Sequence, residues 1–214
     1  MRTTARRESK KIEIMEKSFA CYCENGLSET GIKALAKACD MTAPNFYSYF
    51  DNLDQLIIEA TEHCMTKIEI EFMEHAPKSG DEVFDFIDTM TEWCAEKYGP
   101  QYRFMYQVYT TPKYLEYGKQ FYKNTLERFK RYAKELEPKL DIPWQIIISI
   151  VIVFSQTVIQ YAIYEEKSYL DIQKHMLKQM VRSIMRDNKG LRFPGEKIVT
   201  AGPNSLGIPG GTIV

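Results

Sequence analysis

His63, His75 and His175 stand apart from one another, and the adjacent pair His63-Cys64 would leave a helix in different directions. No paired ligand set for a metal arises from them. The sequence holds no His-Glu-x-x-His, no phosphate-binding Gly loop, no nucleophile elbow and no dinucleotide fingerprint. Paired carboxylates such as Glu69 and Glu71 fall on polar helix faces with nothing to enclose them. No residue is a candidate for catalysis, and neither a metal nor a cofactor is expected. The chemistry open to the chain is recognition: hydrogen bonding, stacking and charge.

Charge is unevenly spread. The 214 residues carry a formal net charge of −1, yet residues 1–11 hold Arg2, Arg6, Arg7, Lys10 and Lys11 against Glu8 alone, while residues 51–100 are rich in Asp and Glu. An otherwise acidic protein with one basic end fits a polyanion contact confined to that end. The basic residues read as an arm ahead of a first helix. Cys21, Cys23, Cys39, Cys64 and Cys94 are odd in number and form no spaced framework, which points to a reduced, cytoplasmic compartment. An apolar signal segment is lacking at the N-terminus.

The segment from Glu29 to Leu56 decides the reading. Ile32, Leu35, Ala36 and Cys39 follow the i, i+3, i+4, i+7 spacing of a one-sided helix, with Thr30 placed as its N-cap. Asp40-Met41-Thr42 breaks the pattern, and Thr42 can cap a second helix carrying Pro44 in its first turn, where a missing N–H costs little. Phe46, Tyr47 and Phe50 follow. Two helices this short cannot bury their own apolar faces and must lean on a third, supplied by residues 9–25 with Ile14, Met15, Ser18 and Tyr22 inward and Gly26 at its end. This is a helix-turn-helix.

At these positions the chain resembles the DNA-binding domain of the TetR family of bacterial transcriptional regulators. Thr30, Ile32, Leu35-Ala36, Met41-Thr42, Phe46-Tyr47 and Tyr49-Phe50 occupy the places of the family's motif, over roughly the first quarter of the chain. Three positions depart from it: Gly31 replaces a Thr, Asp40 replaces the turn Gly, and Leu53 stands where a phosphate-contacting Lys is usual. Asp can take the left-handed conformation of such a turn. The resemblance implies that the third helix enters the major groove. It places Ala43, Pro44, Asn45 and Ser48 at base edges, and Thr30, Thr42, Tyr47, Tyr49 and Lys33 at phosphates. Asn45 can pair bidentately with adenine. Tyr47 is expected to pack its ring inward and offer its hydroxyl to the backbone.

Beyond this unit the pattern is helical throughout, so the fold class is all-α: a three-helix N-terminal helix-turn-helix domain (1–52), a helical effector-binding and dimerisation domain (53–188) and a Gly/Pro-rich tail (189–214). A fourth helix runs to His75. A fifth stops at Gly99-Pro100, a sixth covers Gln101 to Tyr109, and a seventh runs from Lys113 to Leu136, bounded by Pro138. Two long helices follow, Trp144 to Tyr164 and Tyr169 to Arg186. Ile142–Tyr164 carries no charge. Its Gln, Ser and Thr residues would sit poorly in hydrocarbon, so no membrane is expected, and burial by a second subunit explains the segment better. Ile152, Phe154 and Tyr161 are its candidate interface residues. Aromatic and Met residues crowd 93–122, and by the resemblance Trp93, Tyr102, Met105, Tyr106, Tyr109, Tyr117 and Phe121 are expected to line a small-molecule site. Such a stripe is also what a core looks like. The expectation is a ligand-responsive homodimeric regulator, a repressor of a palindromic operator released by a hydrophobic or aromatic effector. Alternatives are an all-helical small-molecule-binding protein whose helix-turn-helix is structural, and a helical enzyme acting on a lipid-like substrate. Salt-dependent binding to a palindrome separates the first from both.

Overall fold

A computed structural model describes residues 2–187. Among them the chain forms α1 (Arg2–Asn25), α2 (Ile32–Ala38), α3 (Ala43–Phe46), α4 (Leu53–Glu74), α5 (Glu82–Thr110), a 3-10 turn (Pro112–Tyr114), α6 (Leu115–Leu140), α7 (Trp144–Tyr164) and α8 (Lys167–Asp187), with no strand among the described residues. The class is all-α. The tail expected at 189–214 lies outside the described residues.

The chain divides into two compact units. The first comprises Met1–Glu74 with Tyr98–Asn124, and the second His75–Lys97 with the chain from Thr125 onward. In the first unit α1 packs on α2 and α4, and α2 on α3. Ile14, Ser18 and Tyr22 of α1 are fully buried, as are Leu35, Cys39, Phe46, Phe50 and Leu56. Phe104 joins this core, stacked on Tyr22 at 5.3 Å and edge-on to Phe19 at 5.6 Å. Polar contacts fasten α1 along α4: Lys11 to Glu59 at 2.6 Å and His63 to Glu16 at 3.3 Å. Gly118 lets α6 meet α5 closely, since a Cβ there would stand 2.7 Å from the Tyr109 Cβ. In the second unit α7 packs on α8, and lysines of α8 grip α5: Lys167 and Lys174 on Glu92, and Lys178 on Asp88 at 2.7 Å.

Three boundaries differ from the sequence expectation. The basic N-terminal residues are not an arm, because α1 is helical from Arg2. Helices five and six are one helix, with Pro100 inside it, and Pro138 lies inside α6. A proline removes one bond to the carbonyl four residues back and adds a clash. Burial on either side, by Tyr98 and Phe104 around Pro100 and by Leu136 and Leu140 around Pro138, carries the helix past it. The true stops are left-handed residues that are not glycine: Asp141 at φ 53° ends α6, and Glu165 at φ 54° ends α7, where its N–H donates to the Tyr161 carbonyl at 2.8 Å.

Candidate nucleic-acid interface

Helix α2 is set by its apolar side. Leu35, Ala36 and Cys39 are buried, with the Cys39 thiol 3.6 Å from the Ser18 hydroxyl. Its cap differs from the expected one. Gly31 takes the N-cap place without a side-chain bond, and Thr30 is buried with its hydroxyl donating to the Gly26 carbonyl at 2.7 Å. That corrects Thr30 as a side-chain phosphate contact: its oxygen faces inward. Lys33 is exposed. Lys37, which the sequence reading passed over, is exposed one turn later on the same edge, and the i, i+4 spacing from Lys33 was the available signal.

The turn between the two helices closes on itself. The N–H of Met41 donates to Ala36 at 3.0 Å and that of Asp40 to Lys37 at 3.2 Å, the paired bonds of a Schellman stop. Asp40 sits at its left-handed position, φ 53°, where the family's motif has Gly. Its carboxylate meets Lys17 of α1 at 3.2 Å, so the departure from Gly buys a tether to the first helix.

Helix α3 is only four residues long. Thr42 has the extended backbone of an N-cap, but its hydroxyl makes no capping bond; the Thr42 carbonyl instead accepts from the Phe46 N–H at 3.0 Å. Thr42, Pro44, Asn45 and Ser48 are exposed and Ala43 is half-buried, all on one short segment. The Ser48 hydroxyl donates to the Asn45 carbonyl at 2.7 Å. Phe46 and Phe50 are core, their rings 5.8 Å apart. Tyr47 departs from expectation. The residue is 45 % exposed and its ring edges against Phe46 at 6.4 Å, so it is less packed than the sequence reading had it. Tyr49 is half-buried. From α1, Arg7 donates to the Ser48 carbonyl at 2.7 Å and lies 5.9 Å from the Tyr49 ring centroid; Lys11 lies 5.3 Å from that of Phe50. An exposed amide on a short helix, backed by two buried rings and flanked by exposed hydroxyls and lysines, has the form of a surface that reads base edges between phosphate contacts.

Residues 14–60 match the family model for bacterial regulatory proteins of the tetR family. Residues 14–60 are therefore a TetR-family DNA-binding domain. Solved structures agree on the fold across most of the chain. A protein of Mesorhizobium loti MAFF303099 described as a TetR-family transcriptional regulator superposes with a TM-score of 0.65 at 11 % identity, covering 85 % of this chain and 98 % of that one. A TetR transcription regulator of Haloarcula marismortui gives 0.64 at 10 % identity, covering 82 % and 98 %. The transcriptional regulator FadR of Bacillus subtilis, in complex with stearoyl-CoA, gives 0.53 at 15 % identity, covering 79 % and 96 %. No curated protein matches the chain.

The residues expected around an effector are divided between the two units. Trp93 belongs to the second unit, where its ring lies 4.7 Å from His75 and 4.6 Å from the Lys97 ammonium. The other six belong to the first. There Tyr109 and Phe121 pack at 5.0 Å, and Tyr102 and Met105 are half-buried. Tyr106 and Tyr117 are about half exposed. Three buried oxygens of the first unit, Tyr22 Oη, Thr61 Oγ1 and Gln101 Oε1, have no hydrogen-bond partner among the described residues; burial pushes the Tyr22 phenol well above its ordinary range. Asp88 and Glu92, acidic groups that would have suited a cationic effector, are taken by α8 lysines. Of the candidate interface residues, Ile152 and Tyr161 are half-buried. Phe154 is 2 % exposed and stacks on Phe86 at 5.2 Å, which corrects it to core.

Proposed function

We propose that the chain works as a homodimeric repressor that holds a palindromic operator and leaves it when a hydrophobic small molecule binds its helical part. One observation carries the dimer. Helix α7 has 21 residues and no charge, yet only 39 % of its most apolar stretch is buried within the protein. An apolar helix left this open needs cover. Its Ser149 and Ser155 hydroxyls are turned back onto carbonyls of their own helix at 2.8 Å, which leaves Ile152 and its neighbours as an aliphatic face for a second copy. Two copies bring two recognition helices to half-sites about 34–36 Å apart. Support for the effector is the stearoyl-CoA held by the Bacillus subtilis FadR, together with Tyr102, Met105, Tyr109 and Phe121 and the unpartnered buried oxygens of the first unit, which would anchor the polar end of such a molecule. Five cysteines that form no disulfide among the described residues fit a reducing cytoplasm.

Selection of bound duplexes from random DNA, followed by sedimentation of the complex and titration with stearoyl-CoA, tests this reading. A palindrome bound by two chains and released by the acyl-CoA is the expected result. A non-palindromic site bound by one chain would overturn the dimer, and indifference to stearoyl-CoA would remove the acyl chain from the candidate effectors.

A further inference from the structure

Helix α3 is too short to hold itself. One hydrogen-bonded turn costs more to nucleate than it returns, and past Phe46 the backbone continues only as turns, Ser48 N–H to Asn45 and Tyr49 N–H to Phe46. The Ser48 carbonyl is met by the side chain of Arg7, 41 positions earlier in the chain. The same guanidinium lies against the Tyr49 ring. One turn further along α1, Lys11 lies over Phe50 and is anchored to Glu59. The two cations, spaced i and i+4, therefore grip three consecutive residues, 48 to 50, from one edge of α1. A planar guanidinium donates to a carbonyl in its own plane while its face lies on a ring, a preset geometry that a flexible ammonium lacks.

We propose that Arg7 is a positioning residue of the DNA-binding surface: through the Ser48 carbonyl and the Tyr49 ring it fixes the pose in which Asn45 meets the bases. The inference rests on the DNA-binding role, and it takes Arg7 out of the basic stretch that the composition offers to phosphates. A residue acting on pose changes discrimination between sequences; a residue neutralising phosphate weakens all DNA alike and shows in the salt dependence.

The test compares the wild type, Arg7→Ala and Arg7→Lys in the full chain. Each is titrated over a salt series with a duplex that the wild type selects from random DNA and with a scrambled duplex of the same composition. Amide exchange of residues 47–50 is followed without DNA. Arg7→Ala is expected to weaken the selected duplex roughly tenfold, the worth of one charge-assisted hydrogen bond. It should leave the scrambled duplex and both salt slopes unchanged and speed exchange at 47–50. Arg7→Lys should behave like Arg7→Ala despite keeping the charge. Equal weakening of both duplexes with a slope shallower by about 0.9, or full recovery in Arg7→Lys, overturns the proposal. Should no duplex be selected, the DNA-binding role fails on its own account. The exchange arm still decides the clamp: faster exchange at 47–50 supports it, and unchanged exchange overturns it.

Discussion

Helices α3 and α7 stand at opposite extremes of how this chain makes a helix. Four residues of α3 carry the proposed base-reading surface, and what holds them lies largely outside the helix: Arg7, Lys11 and the buried ring of Phe50. The 21 residues of α7 need no such help. Their order comes from burial of Ile146, Ile147, Phe154 and Val158, and their surplus is an apolar face left half covered. A recognition element borrows its rigidity and spends its own side chains on the surface. The helix proposed as an interface owns its rigidity and has apolar area to offer.

Substitutions in α7 should show this most strongly. Phe154→Ala removes a ring stacked on Phe86 and should cost about 3–5 kcal/mol of stability, equally at low and high protein concentration in a urea titration. Ile152→Asp should instead act through association, entering a two-fold interface twice. Sedimentation should show a folded monomer, with DNA affinity lost in parallel. If Phe154→Ala only dissociates the protein, or Ile152→Asp sediments as a stable dimer, the assignment of the two faces is reversed.

On α3 the expected effect is smaller and more selective. Asn45→Ala should cost about 1–3 kcal/mol at the preferred base of one operator position and nothing at the others, read from titrations over a panel of operator variants. Uniform binding to the panel, as in the wild type, would remove Asn45 from base readout.

Asp54, in the first turn of α4, offers a weaker lever with a definite sign. Its carboxylate accepts from Lys113 at 2.7 Å and from the Tyr114 hydroxyl at 2.6 Å, and these, Lys113 first, hold its pKa below the ordinary 3.8. The folded state therefore binds that proton less readily than the unfolded chain. Its contribution is fully present above the ordinary value and is lost as pH falls through the lowered one. Asp54→Asn should be less stable than the wild type at neutral pH, and the gap should close as pH falls from about 4 towards about 2. A gap that persists in acid would mean that shape and not charge makes the contact.

Least of all should change at Asp40. Replacing it by Gly relieves a left-handed backbone but frees the unfolded chain and drops the exposed contact with Lys17, for a net gain below about 1 kcal/mol in thermal unfolding. A loss instead would show that the tether outweighs the strain.

Much of this was legible in the sequence because it is local and periodic. The apolar spacing of Ile32 to Cys39, the inner faces of α1 and α4, and the bounds of α7 at Trp144 and Tyr164 all follow from helical repeats. Pro100 and Pro138 misled, since a proline marks a helix end only where packing does not override it. Asp141 and Glu165 were invisible as stops because neither is the Gly that a left-handed cap favours. Phe154 could not be told from Ile152 on a helix apolar all round. The Arg7 contact joins residues 41 positions apart, and no spacing rule reaches that far.

Both tryptophans of the chain, Trp93 and Trp144, fall in the second unit. Each has cations against its ring, Lys97 at 4.6 Å on the first, and Lys130 at 5.5 Å and Lys134 at 5.1 Å on the second. The first unit, which holds the helix-turn-helix, has tyrosines but no indole. The chain is thus built as its own optical instrument: its tryptophan emission watches one unit while DNA is offered to the other. An emission change on adding duplex would record, without any label, a signal that began among residues 30–50 and arrived elsewhere in the chain.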